Sequence, residues 1–282
     1  MTLPIPAELL KPLLRRALDE DVGQGGDLTS LATVPAGRIA TAELNSREAG
    51  TLAGIDIAGL VFTMVSEEIT VSGHAKDGDA ITPGATLFTA TGPAQALLTA
   101  ERTALNILSH MTGIASATAL LAQLIDGTNA HLAATRKTLP GLRLLQKYAV
   151  RCGGGMTHRM SLSDAVMIKD NHIIAAGGIA SAVNKARAYA GHTVKIEVEV
   201  DTIAQLEELL PLGPDIILLD NMSTEDLTRA VALAKGKALL EASGGVTADT
   251  IQEIAATGVD IISVGGLTHS VAAVDIGMEL SL

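Results

Sequence analysis

Seven lysines and arginines stand between positions 131 and 169: Arg136, Lys137, Arg143, Lys147, Arg151, Arg159 and Lys169. One acid, Asp164, accompanies them. This stretch is net +6 in a chain of formal net charge -11, so the rest carries -17. Arginine forks match carboxylate and phosphate geometry, and lysine adds a point charge. Arg143, Lys147 and Arg151 fall on a helical pattern and read as surface. Arg136, Lys137, His158, Arg159 and Lys169 instead flank a Gly153-Gly154-Gly155 loop and the ends of apolar runs. That arrangement suits the gripping of a small polyanion.

Two acids lie on other apolar runs, Glu199 and Asp220. Carboxylates facing a phosphate-rich pocket repel the ligand unless a cation lies between. Mg2+ prefers oxygen ligands and bridges carboxylates to substrate phosphates, so both acids are candidate metal ligands. The plainer alternative is that they pair with the basic cluster. Ser243-Gly244-Gly245 and Gly265-Gly266 follow the last two apolar runs. Backbone N–H groups left bare by glycine at such places can hold phosphate.

These residues need a scaffold that brings strand ends together. From about residue 130, apolar runs at 131–134, 165–168, 193–198, 215–219, 238–240 and 260–264 alternate with helical patterns at 140–150, 178–190, 202–210, 223–234, 247–256 and 271–279. Alternating strands and helices imply a parallel sheet, open or closed into a barrel, with chemistry at the carboxyl ends of its strands. Upstream, leucines 9, 10, 13, 14 and 18 predict a helix over 6–20. Asp27-Leu-Thr-Ser reads as a turn, and short strands are expected at 39–44 and 85–90 with glycine-rich breaks between them. A helical pattern over 95–125 looks interrupted near Gly113.

Composition narrows the function. The acidic balance and only four aromatics argue against nucleic acid and anionic membrane. No apolar run approaches the ~20 residues of a membrane span, and no signal peptide is recognisable. The lone Cys152 cannot form an internal disulfide, which fits a reducing cytoplasm. It reads as structural, and His74, His110, His131 and His192 as ordinary.

Taken together, the segments Thr135-Arg-Lys-Thr-Leu-Pro-Gly-Leu-Arg143, Gln146 to Gly155, His158-Arg159, Ile168-Lys-Asp-Asn-His-Ile173, Glu197-Val-Glu199, Leu219-Asp-Asn221, Ser243-Gly-Gly245, Ser263-Val-Gly265 and Thr268-His-Ser270 resemble the quinolinate phosphoribosyltransferase family. Glu101-Arg-Thr103, Leu105-Asn106 and Gly113-Ile-Ala115 fit it too. The likeness implies an α/β fold: an N-terminal α/β sandwich followed by an incomplete, open parallel α/β barrel of about seven strands. It divides the chain into a sandwich over 1–105, joined by the segment 271–282, and a barrel over 106–270.

The implied activity moves a phosphoribosyl group from phosphoribosyl pyrophosphate to quinolinate with decarboxylation, using Mg2+. By resemblance, Arg136, His158, Arg159 and Lys169 hold the two carboxylates of quinolinate. Arg102 reaches the same ligand from the neighbouring subunit of a homodimer. Lys137, Ser243, Gly244, Gly245, Gly265, Gly266 and His269 contact phosphoribosyl pyrophosphate. Glu199 and Asp220 serve Mg2+ and the ribose, and with Lys137 they carry the chemistry. The chain departs from the family at two places: Ala134 stands where Asp is common before Thr-Arg-Lys, and Thr157 where Asn is common before His-Arg.

Three rival readings fit less well. A molybdenum-transport-linked paralogue would keep the anion pocket without catalysis, but it lacks a Lys-Asp-Asn-His segment. A Schiff-base aldolase would use Lys169, yet that lysine stands among cations that call for a polyanion. An enzyme using nicotinate would release no carbon dioxide.

Overall fold

The computed structural model describes residues 4–282. The chain opens with helices α1 (Ala7–Val22) and α2 (Leu28–Thr33), strands β1 (Ile39–Ser46) and β2 (Gly50–Thr51), and helix α3 (Ile55–Val65). Strands β3 (Thr70–Gly73), β4 (Ala80–Ile81) and β5 (Thr86–Pro93) lead into the long helix α4 (Ala94–Leu124). Then come β6 (His131–Ala134), α5 (Arg143–Cys152), β7 (Met156–Thr157), β8 (Val166–Ile168), α6 (Asp170–Ala176) and α7 (Ile179–Tyr189). Next are β9 (Ile196–Val200), α8 (Ile203–Leu209), β10 (Ile216–Asp220) and α9 (Thr224–Ala234). The last elements are β11 (Leu239–Ser243), α10 (Ile251–Ala256), β12 (Ile261–Val264) and β13 (Ile276–Ser281).

The chain forms two compact units. One holds the residues up to Ala117 with Pro140–Gly153 and Ser270–Leu282, and the other holds Thr118–Leu139 and Gly154–His269. In the first unit a sheet of order β13-β1-β5-β3 pairs its neighbours antiparallel. Buried Phe62 of α3 meets Phe88 of β5 edge-on, with ring centroids 5.7 Å apart. The start of α3 is capped from afar, because Asp77 accepts from the N–H groups of Gly54 at 2.8 Å and Ile55 at 3.0 Å.

Several expectations need correction here. The segment 271–279 is not helical; Ile276–Ser281 pairs along β1, a ladder that local periodicity cannot reveal. Asp27 does not end in a plain turn but caps α2, accepting from the Ser30 N–H at 3.0 Å. Helix α4 runs unbroken through Gly113. Glycine is required there because a Cβ would lie 2.1 Å from the Ala272 carbonyl oxygen. Helix α3 escaped notice because seven of its residues are buried, which leaves no polar stripe. Lys147, read as surface, is fully buried on α5 beside Leu145, Gln146 and Ala149. Helix α4 is long and apolar enough to cross a membrane, but half of its apolar window is buried inside the protein, as in a core helix.

In the second unit, seven strands run in the order β7-β6-β12-β11-β10-β9-β8, each pair parallel. Strands β7 and β8 are the two free ends, so the sheet is an open barrel. The seventh strand, β7, has only two residues, both exposed, and left no apolar run to find.

Candidate functional site

Parallel register decides which side chains share a face. Met167 lies opposite Glu197, Glu199 opposite Leu218, and Leu218 opposite Glu241. Asp220 lies opposite Ser243, which lies opposite Ser263. Side chains two apart on a strand point the same way. One face therefore collects Met167, Lys169, Glu197, Glu199, Asp220, Glu241, Ser243 and Ser263.

At the carboxyl end of these strands is a cavity of about 370 Å³. Its walls include Arg136, Lys137, His158, Arg159, Lys169, Glu199, Asp220 and Ser243, all marked out by the sequence. Thr135, Glu241 and Ser263, polar residues at strand ends or in the family-like segments, also line it, with Met167 and Leu218, which the sequence did not single out. In–out alternation puts Glu241 on the same face of β11 as Ser243, two residues on. The lining does not include Arg102, Gly244, Gly245, Gly265, Gly266 or His269.

Arg102 lies on α4 in the first unit, largely exposed, 3.9 Å from Glu101. Gly265 still shapes the cavity wall, since a Cβ there would meet Lys137 Cδ at 2.7 Å. The lysine stem thus lies across its bare face. Gly244 has φ +95°, and a Cβ would strike Asn221 Oδ1 at 2.1 Å. Asn221 is the one non-glycine at positive φ among the described residues, and it donates to Asp220 Oδ2 at 2.7 Å. These contacts fix the ends of β10 and β11. His269 follows a short 3-10 turn, Gly265–Thr268, whose Thr268 hydroxyl donates to the Lys137 carbonyl at 2.7 Å.

The cations are held at strand ends. Lys169 sits between β8 and α6, where its backbone N–H donates to His172 Nδ1 at 3.0 Å. Its ammonium pairs with Glu199. Arg159 follows β7 and reaches across the open seam, donating to the Ala165 carbonyl at 3.1 Å and meeting Met167 Sδ at 3.3 Å. Burial, and then the charge of Arg136, hold the Arg159 guanidinium below its usual range. Arg136 Nε is itself buried without a hydrogen-bond partner. Two neighbouring guanidiniums, one with an unmet donor, make a place for a doubly charged acid.

Glu241 is buried, and its carboxyl is pushed up by burial and by the charge of Glu197. Ser263 Oγ donates to its Oε1. Burial pushes the Cys152 thiol up to about 11, away from thiolate character. Ala134 and Thr157, where the resemblance leads us to expect Asp and Asn, are register partners and so stand at one spot beside Arg136 and His158.

Comparison with known proteins follows the same lines. Residues 27–112 match the model of the quinolinate phosphoribosyl transferase N-terminal domain, and residues 114–279 that of the C-terminal domain. The carboxylating nicotinate-nucleotide pyrophosphorylase of Mycobacterium leprae (strain TN) is 46% identical over 275 residues, covering 95% of each chain. The probable enzyme of that name from Bacillus subtilis (strain 168) is 42% identical over 273 residues, covering 97% of this chain and 94% of its own. Among solved structures, NadC from Streptococcus pyogenes superposes with a TM-score of 0.95 at 41% identity, covering 99% of both chains.

Proposed function

The chain belongs to the quinolinate phosphoribosyl transferase family, and on that premise we propose how its cavity performs the family's reaction. The activity is transfer of phosphoribosyl from phosphoribosyl pyrophosphate to the ring nitrogen of quinolinate. A bond forms from that nitrogen to the anomeric carbon, and the bond to pyrophosphate breaks. The ring carboxylate next to nitrogen then leaves as carbon dioxide, and the ring carbon that bore it takes up a proton to give nicotinate mononucleotide.

The observation that carries the residue assignment is the pair Arg136 and Arg159, which line one cavity with Lys169 and stand close enough that the charge of Arg136 adds to burial in holding the Arg159 guanidinium below its usual range. Quinolinate, with two adjacent carboxylates, matches that pair. Lys137 faces the leaving pyrophosphate. Ser243, Gly244, Gly245, Gly265, Gly266 and His269 hold the phosphates, and Glu199 and Asp220 stabilise charge growing on the ribose. Holding both substrates in line supplies much of the rate, since such positioning is worth ~7–11 kcal/mol.

Glu199 and Asp220, on neighbouring strands and both lining the cavity, are an oxygen donor set suited to Mg2+. The ion would supply positive charge to the pyrophosphate oxygens. Arg102 completes the quinolinate grip from the second subunit of a homodimer.

The test is direct. The protein is mixed with quinolinate, phosphoribosyl pyrophosphate and Mg2+, with nicotinate in a parallel tube. Equimolar nicotinate mononucleotide and carbon dioxide from quinolinate alone are expected. Oxyanion binding with no product from either acid would overturn the reading in favour of a binding protein.

A further inference from the structure

Beside His158, which lines the cavity, stand two buried acids that no step above uses, Glu197 and Glu241. His158, Glu197 and Glu241 place donor atoms within 4.8 Å of one another, a set that by count could hold a metal ion. Hydrogen bonding excludes that use in this arrangement. The Arg159 backbone N–H donates to His158 Nδ1 at 2.8 Å, so that nitrogen presents its lone pair. The ring proton therefore sits on Nε2, which donates to Glu197 Oε2 at 2.8 Å. A metal at Nε2 would need the lone pair that the proton occupies.

Both ring nitrogens of His158 thus serve the protein. One braces the peptide of Arg159 and the other anchors on Glu197. The anchor is rigid, because every residue of β9 is buried. From the braced peptide, the Arg159 side chain spans the gap between β7 and β8, the two strands that no ladder joins. Without a sheet bond across that gap, the guanidinium is aimed by the His158-Arg159 turn at its base and by its contacts to Ala165 and Met167 at its tip.

We propose that Glu197 is a positioning residue for the dicarboxylate: through His158 it fixes the His158-Arg159 turn and so aims the Arg159 guanidinium into the cavity. This rests on the reading of the cavity as a quinolinate site. In it, His158, itself part of the cavity wall, braces the Arg159 grip on the carboxylates through its two ring nitrogens. Glu241 sits 3.7 Å from Nε2 and forms the other wall of the imidazole slot.

The experiment compares wild type with Glu197→Ala and Glu197→Gln. Glutamine keeps an oxygen that accepts the same Nε2–H, whereas alanine does not. In Glu197→Ala, KM for quinolinate rises ~10-fold or more while KM for phosphoribosyl pyrophosphate stays within ~2-fold, since misplacing a group by ~1 Å can cost ~100-fold. Glu197→Gln recovers most of that loss. If glutamine proves as poor as alanine, the charge and not the hydrogen bond matters, and the proposal falls. It also falls if alanine lowers Tm and leaves both KM values alone.

Nitrogen-15 shifts of His158 give a reading that needs no turnover. They should show a protonated Nε2 and a bare Nδ1 in wild type, lost in Glu197→Ala. A doubly protonated ring, or shifts indifferent to Glu197, would overturn the inference. A wild type that converts nothing would defeat the proposed function, and the ring signals would still decide the bracing itself.

Discussion

At the scale of residues, the cavity is defined by charges that protein groups leave partly unanswered. Arg136 has a buried Nε with no partner, so a bound carboxylate would supply a missing acceptor. Truncation to alanine removes a charge-assisted hydrogen bond worth about 1.5–3 kcal/mol. Arg136→Ala should therefore raise KM for quinolinate by about 10–150-fold; unchanged KM would break the assignment. Glu241 makes a different prediction. Its folded pKa is raised, chiefly by burial, so its favourable protonated state is kept below the unfolded value of 4.5 and is lost as pH rises through the folded value. Glu241→Gln stays neutral throughout. Its Tm should match wild type near pH 4 and exceed it at pH 8 by on the order of 2–4 °C, the shift ~1 kcal/mol gives a chain of this size. Thermal melts across that range check the sign; a gap that shrinks with pH would show the carboxylate to be stabilising.

At the scale of elements, close approach explains what periodicity alone misreads. Gly113 looked like a break in α4, since glycine costs a helix about 1 kcal/mol against alanine. It is instead where the Ala272 carbonyl sits against the helix, with no room for a Cβ. Gly113→Ala should therefore destabilise despite its better propensity, by about 1–3 kcal/mol as overpacking does, and lower Tm by several degrees. A raised Tm would mean that Ala272 can withdraw freely. The same contrast separates what was legible from what was not. The barrel strands at 131–134 and 260–264 are local apolar runs and were readable as such. Strand β13 depends on β1, more than 200 residues earlier, and its sequence around Val271–Val274 has helical character. The cations of the site announced themselves by charge excess. Glu197, Glu241 and Ser263 were visible as polar residues in or ending apolar runs, but which of them faces the cavity needed in–out alternation, since that alone separates a cavity acid from a core neighbour.

At the scale of the molecule, the cavity belongs to one unit, while the last proposed quinolinate ligand, Arg102, belongs to the other. Arg102 is well exposed on α4 and lies 3.9 Å from its neighbour Glu101. An arginine held so loosely is available to a second copy of the chain. If a twofold dimer exchanges this residue, each active site combines the barrel of one subunit with Arg102 of its partner. Arg102→Ala and Lys169→Ala should then each be inactive as pure dimers. Unfolding and refolding them together in equal amounts gives mixed dimers in half of the population. In such a dimer one site receives both lesions and the other receives none. Recovered activity should approach about a quarter of wild type, because one site in four is whole. If Arg102 serves the barrel of its own chain, every site in the mixed dimer keeps one lesion and nothing is recovered. Mass spectrometry of the intact dimers establishes that mixing occurred, so the absence of activity in verified mixed dimers would place Arg102 in its own chain's site.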